Sequence, residues 1–369
     1  KTNVKIDNSL SFVKNKKDFN NYQNTMQSNE FRLFLKRFFN SKINWFLFGS
    51  LFLIFFALII CVIFSKYSWN TAVLDSKYAY NLPSFFNPKI TVSIKPNYEL
   101  SNLQAMQNYG EFKIEKIQYV NDLARVTFNP YKLIQAIQIY NEEKPEQLIT
   151  FFGTNNLGID NFSFFNYSFF ITILIAFSSA LASLIFSSIL ACYTQWFFSK
   201  IQNFSNNLIL SIALLPSLIV AILFFNLFGY SHAKAFWILF IISIPNFYFS
   251  CLVKAKAIYN SDYIKAYIVS GLSSNQIIWK ITFWQILKFN FALVSDQMSL
   301  SITILAALSF FNVSGILQNA NIGNVFKGVI DNFQNYAFSL YVIISTIIFI
   351  LLLKLNSIKL FIAWNPELN

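Results

Sequence analysis

The sequence is poor in charge, glycine and histidine. Charged residues make up 12% of the 369, against roughly a quarter in a soluble domain. Glycine occurs nine times and histidine once, at His232. The three cysteines, Cys61, Cys192 and Cys251, fall within or beside long apolar runs, a placement that suggests neither a disulfide framework nor a zinc site. No G-x-x-x-x-G-K-[ST] string occurs, so the chain does not itself bind ATP in the P-loop manner. Nothing points to catalytic chemistry. A secretory signal peptide is not expected, because the first apolar run follows a polar stretch of 1–43 and is too long for an h-region.

What replaces charge is apolar surface. Hydrophobic residues are 55% of the chain, aromatics 19%, and phenylalanine alone accounts for 45 positions. They are grouped in six runs, at 44–64, 167–193, 207–229, 235–253, 289–311 and 336–353. Crossing the hydrocarbon core takes about 20 apolar residues, so six spans are expected. The second run carries Ala180, Ala182, Ser183, Ser187 and Ser188, small residues that let helix backbones approach closely. The third and fourth contain Pro216 and Pro245, tolerable where neighbouring helices satisfy the freed carbonyls.

Charge sets the orientation. With the N-terminus inside, the inner segments 1–43, 194–206, 254–288 and 354–369 hold 17 Lys/Arg against 5 acids, and the outer segments hold 11 against 10. The positive-inside rule favours that arrangement, with both termini cytoplasmic. The net charge of +12 is then an orientation signal, and nucleic-acid binding need not be invoked.

Residues 1–30 read as a mobile polar tail with little to bury. The run 31–42 places Phe31, Phe34, Leu35 and Phe38 on one helical face among basic residues. It reads as an interfacial helix on the inner leaflet, or equally as an extension of the first span. Residues 65–150 form the only sizeable soluble part. Alternation at 90–94 and 112–115 predicts strands, and Leu133, Ile134, Ile137 and Tyr140 at helical spacing predict a helix over 131–143. A small α+β cap outside the membrane is expected. Asp296 is the one acid placed within a span, where burial costs about 2.5–3.5 kcal/mol at mid-helix. It is a candidate for lining a substrate path; the alternative is a headgroup-facing residue or one paired with a neighbouring subunit.

Three strings carry a family resemblance. The first precedes the second span: Gly153-Thr154-Asn155-Asn156-Leu157-Gly158-Ile159-Asp160-Asn161-Phe162-Ser163. It resembles the G-T-D-x-L-G-R-D-x-F-S signature of the C-type membrane subunit of oligopeptide/dipeptide permeases, with Asn155 in place of Asp and Ile159 in place of Arg. Its physical reading is a tight glycine turn at the outer surface, braced by Thr154 and Asp160. The second string, at 262–284, resembles the EAA loop of bacterial ABC-transporter membrane subunits. Lys265, Ala266 and Tyr267 occupy the E-A-A positions, Gly271 and Ile281 match, and Phe283-Trp284 replace Leu-Pro. In the third, Leu308-Ser309-Phe310-Phe311 is similar to the family's L-S-F-L, Ile322-Gly323-Asn324 to W-G-N, and Asn365-Pro366 to the closing D-P; Leu305 stands where the family often has an acid. The resemblance covers about 150–369, and span 1 by position.

The resemblance implies an all-α membrane protein of the type I ABC importer kind, with six transmembrane helices and the α+β insertion between the first two. It implies a permease subunit of an ATP-driven oligopeptide importer that binds no cofactor itself. ATP and Mg belong to two partner ATPase subunits, gripped through Tyr263, Lys265, Ala266, Tyr267, Gly271 and Ile281. A second homologous permease and an extracellular peptide-binding lipoprotein complete the assembly in the lipid bilayer. A dipeptide or nickel permease shares these signatures, and a secondary transporter or membrane scaffold is the reading from a different class. Heavy use of Phe, Ile, Asn and Lys fits an AT-rich genome, and a wall-less bacterium would fit. The topology predicts that a cysteine placed near Lys116 reacts with an impermeant thiol reagent in intact cells and that one near Lys280 does not; labelling at Lys280 would invert the orientation.

Overall fold

The computed structural model describes residues 32–73, 82–96, 98–120, 122–145, 147–197, 207, 209, 211–212, 214–331 and 335–364. The expected tail at 1–30, Phe31 and the Asn365-Pro366 pair lie outside them.

Among the described residues, five helices are long and apolar enough to cross a bilayer. They are α1 (Lys42–Ile63), α4 (Asn161–Phe197), α6 (His232–Tyr259), α10 (Ala292–Leu308, continued by a tight turn at Ser309–Phe311) and α12 (Tyr336–Trp364). The run expected as a continuous third span differs. Residues 211–212 are helical, Leu214 and Leu215 turn, and a 12-residue helix α5 (Ser217–Phe228) begins after Pro216. The cause is local: Pro216 has no N–H to donate, and its ring disfavours helical backbone at Leu215.

Helix α4 is longer than the expected 167–193. It is capped at residue 160 and runs to Phe197. At 1.5 Å per residue its 37 residues reach about 55 Å, well beyond a 30 Å hydrocarbon core. Its small residues decide its main partner. Ser179, Ala180, Ser183, Ser187 and Ser188 are buried, and α4 packs along α6. Ser183 Oγ donates to the carbonyl of Phe240 at 2.9 Å and Ser187 Oγ to that of Ile244 at 3.3 Å. Both carbonyls precede Pro245, which sits inside α6 without an N–H for the helix ladder. The carbonyl that Pro245 leaves without its helix donor is that of Ile241, four residues earlier; the serines bond carbonyls on either side of it and keep the two backbones close.

Between α10 and its neighbours the polar contacts are again internal. Gln297 Nε2 donates to Ser243 Oγ at 2.8 Å, and Ser357 Oγ donates to the carbonyl of Ala292 at 2.8 Å. Asn356 on α12 donates to the carbonyl of Leu47 at 3.1 Å, tying α1 to the bundle. Residues 32–39 are helical. Phe34 stacks on Trp364 with ring centres 4.3 Å apart, and Phe34 and Phe38 are buried with Ala363. The aromatic face expected to lie on lipid thus packs on the end of α12.

The segment between α1 and α4 holds an antiparallel sheet in the order β1 (Ile90–Ile94), β3 (Leu123–Phe128), β2 (Ile114–Val120), together with α2 (Tyr98–Met106) and α3 (Pro130–Tyr140). Ile90 pairs with Phe128 and Ile94 with Ala124. One core, of Leu100, Phe112, Val126, Phe128 and Leu133, joins sheet and helices. Asn129 caps α3, its side-chain oxygen accepting from the Tyr131 N–H at 2.9 Å.

The α4–α6 contact leaves no room for bulk. Ser183→Leu, at a fully buried position, is expected to cost about 1–3 kcal/mol through overpacking. The check is a lowered midpoint of thermal unfolding for the protein in detergent; an unchanged midpoint would show that the helices separate freely.

Candidate functional site

The residues singled out in the sequence gather at the two ends of α4. At one end is the turn before the helix. Thr154 and Asp160 form an antiparallel bridge, and the Asn155 N–H donates to the Ile159 carbonyl at 2.8 Å. Gly153 and Gly158 both have left-handed backbone, φ +70° and +76°. The Asn155 side chain accepts from the N–H groups of Leu157 at 2.9 Å and Ile159 at 3.0 Å, an Asx-type brace. The expected braces were Thr154 and Asp160. Asp160 caps the helix, Thr154 takes part through its backbone while its hydroxyl makes no hydrogen bond among the described residues, and the side-chain brace comes from Asn155, whose signal in the sequence was the short amide between two glycines.

Asp160 is 2% exposed and caps α4. Its Oδ2 accepts from the Ser163 N–H at 2.9 Å and the Ser163 hydroxyl at 2.7 Å. Burial raises its carboxyl above the ordinary value, outweighing the Ser163 bonds that lower it. Leu157, by contrast, projects outward. The turn is tied to its surroundings: the Val73 N–H donates to the Gly158 carbonyl at 2.8 Å, and Asn335 Nδ2 to the Phe152 carbonyl at 2.8 Å. Nearby, Tyr131 donates to the Leu82 carbonyl at 2.6 Å, and burial pushes its hydroxyl up to about 12.

The third string folds against this end. Ser309 Oγ donates to Asn324 Oδ1 at 3.0 Å, and Asn324 Nδ2 donates to the carbonyl of Ile316 at 2.7 Å. Helix α11 (Ile322–Asp331) starts here, its Ile322 N–H donating to Thr172 Oγ1 of α4 at 3.1 Å. Gly323 is required by close approach: a Cβ there would lie 2.6 Å from the Leu305 carbonyl and 2.6 Å from Ser309 Oγ. Leu305 itself is fully buried. Between the turn and α11 lies an open cleft of about 330 Å³, lined by Asn155, Leu157, Asn161, Asn324, Lys327 and Phe338 among others.

At the other end of α4 is the 262–284 loop. It forms α7 (Asp262–Val269), a glycine turn, α8 (Ser274–Ile277), a π-helical stretch at Ile278–Thr282 and α9 (Phe283–Asn290). The turn is a Schellman motif: the Leu272 N–H donates to the Tyr267 carbonyl at 3.2 Å and the Gly271 N–H to that of Ile268 at 3.1 Å. Gly271 has φ +82° with open space around it, so backbone conformation, and not crowding, calls for glycine there. Ser273 and Gln276 close a capping box on α8. The loop is seated by Ile264, Ile277 and Ile281, all buried in the main core. Trp279 Nε1 donates to Tyr193 Oη of α4 at 3.3 Å.

The face turned outward is only partly the expected one. Tyr263 and Ala266 are exposed, but Tyr267 is half-buried against the core. Val269, 88% exposed, and Ile268 join the outward apolar face. Sequence reading missed them because it followed the E-A-A register and not the helix end. Lys265 pairs with Asp262 at 3.0 Å, both well exposed, an interaction of little energy that leaves the lysine free to change partners. Asp296 belongs to neither cluster. It pairs with Lys354 of α12 at 2.7 Å, each about half exposed.

Residues 183–358 match the family model described as the binding-protein-dependent transport system inner membrane component. The match runs from the middle of α4 into α12, takes in the whole 262–284 loop and omits the Gly153–Ser163 turn. No curated protein matches the chain. The family match and the five apolar helices support a multi-pass membrane permease subunit of an ABC importer. The family implies partners such as ATPase subunits and a binding protein.

The capping carboxyl gives the turn a pH dependence. An acid whose pKa is raised on folding binds its proton more tightly in the folded state. Its contribution to stability is therefore greatest at low pH and is lost as pH rises through the raised value. Asp160→Asn should remove that component of the pH dependence, whereas Asp160→Ala should cost about 1 kcal/mol as a lost cap. Unfolding midpoints measured across pH for the three proteins check this; a wild-type and Asn variant with parallel profiles would contradict it.

Proposed function

We propose that this chain is one of two homologous permease subunits of an ATP-driven oligopeptide importer. In this reading the apolar run around α5 supplies a sixth span, and both termini lie in the cytoplasm. The sheet, α2 and α3 then lie outside the membrane, on the side where a peptide-binding lipoprotein delivers substrate. The oligopeptide class rests on the Gly153–Ser163 turn and its likeness to the oligopeptide/dipeptide signature.

The observation that carries the coupling role is the geometry of the 262–284 loop. Its inner face is fixed by buried isoleucines, and its outer face offers Tyr263, Ala266, Ile268 and Val269. A rigid element with one seated face and one apolar outward face is what a lever needs. Two ATPase subunits close on ATP and Mg, an apolar groove on one of them carries α7, and the Schellman turn at Gly271 passes the displacement to α9 and α10. An acidic residue on the ATPase is the natural partner for Lys265. No step of ATP chemistry takes place on this chain.

Ala266→Asp places a charge in that groove and should abolish coupling while leaving the helices inserted. Gly271→Ala is the milder variant, straining the left-handed backbone by about 1 kcal/mol. The measurement is peptide uptake against ATP hydrolysis in the reconstituted complex. Loss of uptake with normal membrane levels is expected for Ala266→Asp; normal uptake would return the chain to the secondary-transporter or scaffold class.

A further inference from the structure

Exposed surface on the spanning helices is of two kinds. Helix α12 turns Leu340, Ile344, Ile347, Leu351 and Ile358 outward, and α1 turns out Phe46, Leu53, Phe56 and Ile60. Those faces suit acyl chains. Helix α10 differs. Between Phe291 and Phe310 none of its large apolar side chains is exposed. Its outward strip is Asp296, Leu300, Thr303 and Ala307, spaced by three and four residues and so stacked on one face. Leu300 is half-buried there, and Thr303 is the exposed member. Beside the strip, α6 exposes Asn246 one residue after Pro245. Asn246 Nδ2 donates to Gln297 Oε1 at 3.3 Å, and Gln297 is held from below by Ser243. Further along α6, Ser250 Oγ donates to Asn290 Oδ1 of α9 at 2.5 Å. The charged pair on the strip, Asp296 with Lys354, lies at the end of α10 nearer the 262–284 loop.

An outward amide, a hydroxyl and a carboxylate on neighbouring helices at membrane depth are costly against hydrocarbon, and such groups are found facing water-filled paths or bundle interiors. We propose that the seam formed by Asn246 of α6 and Asp296 and Thr303 of α10, with Leu300 between them, lines the translocation path and contacts the substrate's peptide backbone. This assignment rests on the permease reading above and adds residues to it. The chemistry indicates the substrate class. The Thr303 hydroxyl already donates to the Ser299 carbonyl at 2.8 Å, so toward a ligand it accepts. The Asn246 amide both donates and accepts. Together they suit backbone N–H and C=O groups whatever the side chains, so the seam favours extended peptides over metal complexes and does not select among peptide sequences. Buried Gln297, fixed on one side by Ser243, positions Asn246 and is not itself a contact.

The test uses the whole complex in nanodiscs, with Cys61, Cys192 and Cys251 replaced by alanine. Single cysteines are introduced as Leu300→Cys, Thr303→Cys and, on the α12 face, Ile347→Cys. Thr303 and Ile347 lie equally far along their antiparallel helices from the Asp296–Lys354 pair, so they sit at matching depth. A thiol reacts as its thiolate, and each unit by which hydrocarbon raises its pKa slows reaction about tenfold. Leu300→Cys and Thr303→Cys should react with a water-soluble methanethiosulfonate about tenfold or more faster than Ile347→Cys, and saturating tetra-alanine should slow them. Equal, slow rates at all three positions would overturn the path assignment. Fast labelling indifferent to tetra-alanine would overturn the peptide contact. A second variant separates the surroundings of Asn246. Against lipid, Asn246→Leu would leave the KM for tetra-alanine uptake unchanged; in the path, loss of a hydrogen bond of about 1–1.5 kcal/mol raises it about tenfold. The labelling contrast needs only assembly, so a complex that assembles but takes up no peptide would count against the permease reading and leave the seam's exposure measurable.

Discussion

Polar side chains buried among apolar spans need partners within the protein, and the contacts between the spanning helices are built around that requirement. The α4–α6 contact meets it most directly. Pro245 removes a donor from α6, and two serines of α4 reach carbonyls in the turns before it. Serine at those positions joins the two helices by side-chain hydrogen bonds and is small enough to let the backbones close. Ser243 and Asn290 extend the same logic to α9 and α10. The remaining helices hang on this pair: α10 packs against α4 and α12, and α1 is fastened through the Asn356 donor.

With α4 fixed, its two ends become defined places. From Asp160 to Tyr193 the helix covers about 50 Å, and each end holds a structured glycine turn. One is a cap closed by Asp160, Asn155 and the Gly323 approach. The other is the Schellman turn at Gly271, seated on α4 through Trp279 and Tyr193. The two strings that stood out in the sequence are therefore mechanically linked by one continuous helix, an arrangement suited to relaying movement from one membrane face to the other.

Much of this was legible in advance because the signals are coarse. Runs of about 20 apolar residues mark α1, α4, α6, α10 and α12 whatever their packing. A glycine followed by a serine cap marks the turn at 271–273. What the sequence concealed depends on partners distant along the chain. The ends of α4 were placed inside their true positions because Asn161, Asn166 and Gln195 look polar yet are buried by other elements. The break at Pro216 was hidden by an apolar run whose hydropathy does not change across it. Phe34 and Phe38 suggested a lipid contact, and only the fold brings Trp364 to them. Asp296 invited a functional reading in isolation; Lys354, fifty-eight positions later, supplies its partner.

The central claim is that α7 and the turn after it form the contact with an ATP-driven engine. Its most direct test is a cross-link from Val269→Cys, the most exposed apolar position of that helix, in native membranes. The account predicts a product containing a P-loop ATPase subunit, whose yield changes when ATP is added. A chain that assembles, carries peptide and forms no such product from Val269→Cys or from Tyr263→Cys would contradict it.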